Sequence, residues 1–469
     1  MERSSKIYLI SLLIFGGGIL AVLNWGNNMY VTPAIIETAA AQNDFWQVFY
    51  NTFMKQLSHP LALLLIQIIV IMITARVFGV LFTKISQPSV IGEIFAGIIL
   101  GPSLLGLFFP EIYTLLFPKA SLTNLHFLSQ IGLILFMFVV GMELDFDKLK
   151  KQSKASVVIS HISILFPFFL GVLLAYMIYP TFATQTVSFT AFALFIGIAM
   201  SITAFPVLAR IVKDRNLTKT SYGMTSLTCA AADDATAWYI LAIVIAISTS
   251  TNLLMSVLML IPILLYILFM IFVIKPFLQT LGTKINNQEL DMRITTIVLV
   301  VLLLSALATE LLGIHALFGA FLAGVMMPST KDSELKERIA PRLEYVSLLV
   351  LLPLFFALTG LRTQINLLEP QHWVICFVII GVAVAGKFIG STVASRLMGG
   401  SWRDSFAIGA LMNTRGLMEL IVLNIGYELG ILSPLLFTMF VIMALVTTFM
   451  TGPSLSLIDR IFQKKIIKL

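Results

Sequence analysis

Residues 220–248 read TSYGMTSLTCAAADDATAWYILAIVIAIS. A bilayer-spanning helix takes roughly 20 apolar residues, and this run is long enough. Its middle carries two adjacent acids, Asp233 and Asp234. Counted from Thr220, Asp234 lies roughly 21 Å along a helix rising 1.5 Å per residue. That is near the centre of a hydrocarbon layer about 30 Å thick. One charged side chain at that depth costs at least ~2.5 kcal/mol. Two neighbouring acids cost more unless they are protonated, paired or bound to a cation. A single acid could be a buried tie between helices, but a pair at mid-depth reads as a site.

The rest of the chain has the same character. Of its 469 residues 59% are apolar and 11% charged, with a mean hydropathy of +0.99. Soluble domains carry about 25% charged residues, so a water-soluble protein is excluded. The net charge of +7 belongs in the loops of a membrane protein and does not point to nucleic acid. Neither a Walker A sequence nor a dinucleotide fingerprint appears, so ATP-driven pumping would need another chain. Cys229 and Cys376 lie inside apolar runs and have no metal-site or disulfide spacing.

Thirteen apolar core stretches follow residue 58, near 60–83, 89–106, 125–144, 155–179, 186–211, 220–248, 252–280, 292–312, 314–328, 343–361, 372–397, 404–430 and 434–462. Residues 1–57 are read as a signal peptide or an uncleaved anchor helix, near Ile7–Leu23, with an external polar segment. Residues 58–469 are read as the transmembrane domain. After core stretch thirteen nothing large enough to fold by itself is expected. Basic residues orient the core. Lys148, Lys150, Lys151 and Lys154 follow stretch three. Arg210, Lys213, Arg215 and Lys219 follow stretch five. Lys331, Lys336, Arg338 and Arg342 follow stretch nine, and Arg460, Lys464, Lys465 and Lys468 follow stretch thirteen. Each cluster follows an odd-numbered stretch, which puts those loops and the C-terminus in the cytoplasm.

An internal likeness runs through the core. Leu135-Phe136-Met137-Phe138-Val139-Val140-Gly141-Met142 resembles Leu354-Phe355-Phe356-Ala357-Leu358-Thr359-Gly360-Leu361. These segments are seven stretches apart, and an odd separation reverses direction, so the repeat is inverted. Such repeats are typical of secondary transporters, whose site lies at the repeat interface. A second pair, Gly92–Gly97 with Ala316–Phe321, would by itself be read as chance.

Three other features carry chemistry. Lys387, in Gly386-Lys387-Phe388-Ile389-Gly390, matches the aspartates in depth. A lone ammonium there wants a carboxylate, and Asp233 or Asp234 would supply it. Pro206 follows Ser201-Ile202-Thr203-Ala204-Phe205 and interrupts core stretch five. Proline removes a backbone donor, so Thr203, Ser201 and freed carbonyls would face a cation. Asn413-Thr414-Arg415-Gly416 weakens stretch twelve at the equivalent place, and paired interruptions point to a transporter site. Arg415 and Glu419 are spaced to pair on one helix face and are read as supporting the site. Glu93 is placed in a first helical turn, where an acid suits the dipole. Glu143, Glu310 and Glu428 are read as solvated, and His59, His126, His161, His315 and His372 as unclustered.

Together these motifs resemble the monovalent cation:proton antiporter superfamily, most closely its second branch of bacterial sodium/proton antiporters, potassium efflux proteins and plant cation/proton exchangers. The likeness spans about residues 58–462. It implies a thirteen-helix inverted-repeat antiporter fold with two crossed discontinuous helices, a dimerisation domain and a mobile core, assembled as a homodimer. By resemblance Asp234 matches the essential ion-binding aspartate. Asp233 matches the position that is Asp in electrogenic members, and Lys387 the lysine that pairs with it. The nucleotide-binding domain of the potassium efflux proteins is not expected in this chain, so their gating is not carried over.

The expectation is therefore an all-α polytopic membrane protein with one extra N-terminal hydrophobic segment, lying among lipid in a bacterial inner membrane. It is not an enzyme. It would exchange Na⁺ or K⁺ for H⁺ by alternating access, the cation binding transiently to Asp234 and Asp233, with no cofactor. A sodium-coupled symporter of an organic anion and a cation channel are the alternatives. An intramembrane protease, which could also use an Asp pair, is disfavoured by the lysine and the repeat.

Overall fold

A computed structural model describes residues 3–29, 45–85, 87–143, 154–184, 187–249, 253–283, 292–328 and 335–466. Lys148, Lys150, Lys151, Lys331 and Lys468 lie outside the described residues, as do the side chains of Lys464 and Lys465. The chain divides into two units, residues 1–63 and 64–469. In the first, Arg3–Met29 is one helix whose apolar side chains are exposed all round, as suits lipid contact. The segment expected to be polar contains a second helix, Phe45–Leu57. Phe45, Trp46, Phe49 and Phe53 form a chain of ring contacts along it.

The described residues of the second unit are helical wherever they have regular structure. The core helices are α1 (Pro60–Lys84), α2 (Ser89–Leu100), α3 (Lys119–Glu143), α4 (Lys154–Phe182), α5a (Phe189–Ser201) and α5b (Phe205–Asp214), and α6 (Ser221–Thr249). Next come α7 (Leu253–Phe269, continuing through a π turn into Lys275–Thr283), α8 (Met292–Leu311), α9 (Ala316–Val325) and α10 (Leu335–Val346, through a π turn into Leu352–Arg362). The last are α11 (Pro370–Val384, through a π turn into Gly390–Leu397), α12a (Trp402–Met412), α12b (Leu417–Glu428) and α13 (Pro434–Ile466). Among the described residues 13 helices are long and apolar enough to cross a membrane, one of them Ile7–Gly26. The chain is an integral, multi-pass membrane protein.

Core stretch nine departs from expectation. It forms a helix of 10 residues, roughly 15 Å long and about half the hydrocarbon thickness. Gly313 and His315 take positive φ just before it, which ends α8 and turns the chain. The start of α10 also differs. It begins at Leu335, ahead of the apolar run, because Leu335 and Ile339 bury one face of a charged segment.

Glycines stitch these helices together in two matching sets. A Cβ on Gly92 would strike the Phe78 carbonyl of α1, and one on Gly319 the Ser305 carbonyl of α8. A Cβ on Gly97 would strike the Ala357 carbonyl of α10, and one on Gly324 the Phe138 carbonyl of α3. Gly360 lies equally close to the Ile94 carbonyl, and Gly141 to that of Phe321. So α2 lies on α1 and α10 as α9 lies on α8 and α3, with Gly141 and Gly360 in equivalent contacts. The second sequence pair is thereby corrected by three residues. In these contacts Gly92 and Gly97 stand as Gly319 and Gly324 do, so close backbone approach, which only glycine allows, pairs Gly92–Gly97 with Gly319–Gly324.

Candidate functional site

The two interruptions meet. Between α5a and α5b, Ile202, Thr203 and Ala204 leave the helix, and Pro206 stands in the first turn of α5b. Proline costs nothing there, since that N–H would lack a helical partner anyway. Between α12a and α12b the chain runs through residues 413–416. Gly416 has φ 154°, and a side chain on it would strike Val207. Ala204 N donates to Thr414 O at 3.1 Å. The Arg415 guanidinium donates to the carbonyls of Ala199 at 2.7 Å and Met200 at 2.6 Å, in the last turn of α5a. At the other side of that break, Phe205 N at the start of α5b donates to Asp234 Oδ2 at 3.3 Å. Thr448 Oγ1 of α13 accepts from Arg415 N at 3.1 Å. Helix ends leave unpaired backbone groups. Here side chains from neighbouring elements take them up.

The carboxylates that α6 supplies are unlike. Asp233 is fully buried. Its Oδ1 accepts from Ser160 Oγ at 2.6 Å. Its Oδ2 accepts from Ser163 Oγ at 2.6 Å and faces Thr203 Oγ1 at 3.1 Å and Lys387 Nζ at 3.2 Å. Lys387, also fully buried, donates to Thr203 Oγ1 at 2.6 Å. The Thr203 proton can go either to Asp233 or to Met412 O, 3.2 Å away. Asp234, 2% exposed, has only Phe205 N on Oδ2, and its Oδ1 has no hydrogen-bond partner. A small cavity borders Asp234, walled by Ile202, Ala237, Trp238, Leu241, Met418 and Val422. Trp238 closes on Phe318 of α9, edge to face at 5.0 Å.

A family model described as "Sodium/hydrogen exchanger, transmembrane" matches residues 68–459. The chain belongs to the sodium/hydrogen exchanger family. The chain is 44% identical over 399 residues to the Na⁺/H⁺ antiporter NhaS4 of Synechocystis sp., covering 84% of this chain and 97% of that one. It is 34% identical to the K⁺/H⁺ antiporter 1 of Saccharomyces cerevisiae, over 87% of this chain but 48% of the yeast protein. It thus spans nearly the whole of the first relative and about half of the second. Among solved structures, the sodium proton antiporter MjNhaP1 from Methanocaldococcus jannaschii aligns with TM-score 0.58 at 16% identity, covering 83% of this chain and 95% of that one. That likeness shows the exchanger fold.

Other residues of this exchanger stand elsewhere than expected. Ser201 Oγ donates to the carbonyls of Gly197 at 2.7 Å and Ile164 at 3.0 Å, not to the carboxylates. The α5a carbonyls expected to be free are taken by Arg415. Arg415 is not on a shared helix face with Glu419: it lies in the break, with Glu419 in the first turn of α12b, and the two meet at 2.9 Å. Glu93 lies past the first turn of α2. Glu310 Oε2 accepts from Ala316 N at 2.8 Å at the start of α9. Glu428 and His126 are not isolated, since Arg362 Nη1 donates to Glu428 at 2.9 Å and His126 Nε2 lies 3.5 Å from the same oxygen.

Three contributions escape sequence reasoning. Ser160 and Ser163 hold Asp233, and with Ser156 they form a stripe at helical spacing along α4 that is visible in the sequence. Lys387 lies in the π turn Ala385–Ile389. Such a turn re-aims a side chain, and Gly386 and Gly390 let it approach Pro167 and Phe166 of α4. Asn413 Oδ1 is buried without a partner between the two residues that touch α5's break.

Proposed function

We propose that this exchanger swaps Na⁺ or K⁺ for protons by alternating access, with Asp234 as the group that binds cation and proton in turn. The observation that carries this reading is the contrast within the pair. Every oxygen of Asp233 has a donor, whereas Asp234 keeps one buried oxygen unpartnered. A buried carboxylate with an open oxygen is satisfied by a proton or by a dehydrated cation, but not by both. Asp233 and Lys387 form the adjoining charge pair, and Thr203 joins them across the break. Side chains pair the backbone groups at the helix ends around the site, and the exchange so described calls for no cofactor. The relatives' names, Na⁺/H⁺ and K⁺/H⁺ antiporter, support the substrate class.

The same reading takes α1–α6 and α8–α13 as inverted halves, a reading supported by the matching glycine contacts. It sets the protein in a bacterial inner membrane as a homodimer with the C-terminus in the cytoplasm. Arg210, Lys213, Arg215, Lys219, Arg396, Arg403 and Arg460 all fall at the inner end in that orientation. The test is a proteoliposome with an imposed pH gradient. Adding Na⁺, K⁺ or Li⁺ outside should dissipate the gradient for the wild type. Asp234→Asn should be inert to all three while keeping the wild-type unfolding temperature. Wild-type exchange by a folded Asp234→Asn protein would refute the assignment.

A further inference from the structure

Two buried polar atoms of α6 stand without a hydrogen-bond partner, Asp234 Oδ1 and Trp238 Nε1. The indole N–H can only donate, and it has nothing to donate to. The two residues are four apart, which stacks them one turn from each other on the same helix face. Helical side chains lean toward the N-terminus, so the indole leans toward the turn that carries Asp234. Both residues wall the small cavity beside Asp234. The other side chains in that wall are apolar: Ala237 and Leu241 of α6, Ile202 of the first break, and Met418 and Val422 of α12b. Trp238 is 3% exposed, edge to face with Phe318 and stacked with Phe321 at 6.1 Å.

An orphaned polar group among apolar side chains is costly, and native proteins pair such groups. Here both orphans border one space. The cavity leaves about 10 Å³ for a water's centre, which is room for one water and not two. A buried water needs at least two polar partners, and these two residues supply them. A proton on Asp234 Oδ1 makes that oxygen a donor too. A water oxygen has two lone pairs, so it accepts from the indole N–H with one and from the protonated carboxyl with the other. When a cation takes the proton's place on Oδ1, the second lone pair becomes a ligand of the cation.

We propose that Trp238 holds one water against Asp234 Oδ1, and that this water stays in place as a ligand of the transported cation. Trp238 is then a positioning residue of the exchange, acting through the water. The bridge stands on the cavity and its two orphaned atoms; its role in transport rests on Asp234 as the exchanging group.

The water is read by proton–nitrogen correlation of the indole groups in the full chain in detergent. The chain has five tryptophans, and the signal lost in Trp238→Phe belongs to Trp238. Its N–H should show a cross-peak to water. The rival partner for that N–H is the ring face of Phe318. A signal shifted strongly upfield with no water cross-peak would overturn the proposal. Transport is read in proteoliposomes as apparent cation affinity and maximal rate. Trp238→Phe keeps a ring against Phe318 but has no donor. It should raise the half-saturating Na⁺ or K⁺ concentration about tenfold, the low end for one hydrogen bond to a charged group, with a smaller effect on maximal rate. The smaller ring also loosens packing, so a second protein carries β-(3-benzothienyl)alanine at position 238, with sulfur in place of the N–H and the same shape. It should lose affinity to the same extent at the wild-type unfolding temperature. Wild-type affinity in that protein would overturn the proposal and leave Asp234 in its role. Wild-type exchange by a folded Asp234→Asn protein would instead refute the exchange reading and the transport role with it, and the water cross-peak, which needs no transport, would still decide the bridge.

Discussion

Asp233 draws donors from Ser160, Ser163, Thr203 and Lys387, and Asp234 draws only the amide of Phe205. Hydrogen bonds to a charged group contribute about 1.5–3 kcal/mol each. Ser160→Ala and Ser163→Ala should therefore each lower stability by about that amount, and the loss should shrink when Asp233 is already Asn. A cycle of unfolding temperatures in detergent measures this coupling; serine effects of the same size in both backgrounds would show that the hydroxyls serve helix packing instead. At this scale the sequence is informative for carboxylates and weak for hydroxyls. An acid in an apolar run has no inexpensive explanation, so Asp233, Asp234 and Lys387 stand out. A serine in a membrane helix can always bond its own backbone, as Ser201 does to Gly197. Only the recurrence of Ser156, Ser160 and Ser163 along one face of α4 marks them, and Ser201, conspicuous beside the break, turns away from the carboxylates.

The helix ends around the breaks are held by residues distant in sequence. Arg415 ties the last turn of α5a to the first turn of α12b, with Glu419 as its counter-charge, and both side chains are fully buried. Removing one member of a buried pair costs about 3–5 kcal/mol, while replacing both is far milder. Arg415→Met should thus destabilise strongly, and Arg415→Met/Glu419→Leu should recover part of the loss in unfolding temperature but not transport, because the α5a carbonyls stay uncapped. A double variant less stable than Arg415→Met would show that the pair is not the tie. Glycine makes a second prediction. Gly324→Ala drives a methyl into the Phe138 carbonyl and should destabilise the domain. Gly381, on α11, has open space where a methyl would stand. It should tolerate Ala at no cost, since alanine is the better helix former. Equal unfolding temperatures for the two variants would remove the close α3–α9 contact from the account. Pro206 and Gly416 announce the breaks in the sequence, but local signals cannot say which distant side chain fills them. Nor can an apolar pattern reveal the π turn that aims Lys387, since the turn changes no residue's polarity.

Across the whole molecule, helices from both sequence halves converge on the pair. Asp233 and Asp234 come from α6, Lys387 from α11, and the two breaks from α5 and α12. Matching depth hinted at this meeting, and the likeness between α3 and α10 at the repeat; neither could supply the second register, which backbone contact sets, or the Arg362–Glu428–His126 link joining α10, α12b and α3. The convergence has a consequence for charge. With Asp234 protonated and the Asp233–Lys387 pair ionised the cluster is neutral, and loss of the Asp234 proton leaves it with a net charge of −1. A monovalent cation at Asp234 makes it neutral and places a positive charge beside the Asp233–Lys387 pair. Loosening that pair lets the lysine release its proton, so the cation would enter as two protons leave, one from Asp234 and one from Lys387. Exchange would then move two protons per cation and carry net charge across the membrane. Asp233→Asn leaves Lys387 with Thr203 Oγ1 as its remaining partner. Without a carboxylate the ammonium is an unpaired buried charge, the lysine stays neutral through the cycle, and one proton should move per cation. Reversal potentials in liposomes, with cation and proton gradients varied independently, give the ratio directly. The wild type should reverse where two protons balance one cation, and Asp233→Asn should lose its dependence on voltage. A voltage-independent, one-for-one exchange by the wild type would make Lys387 a structural tie and take Asp233 out of the proton count.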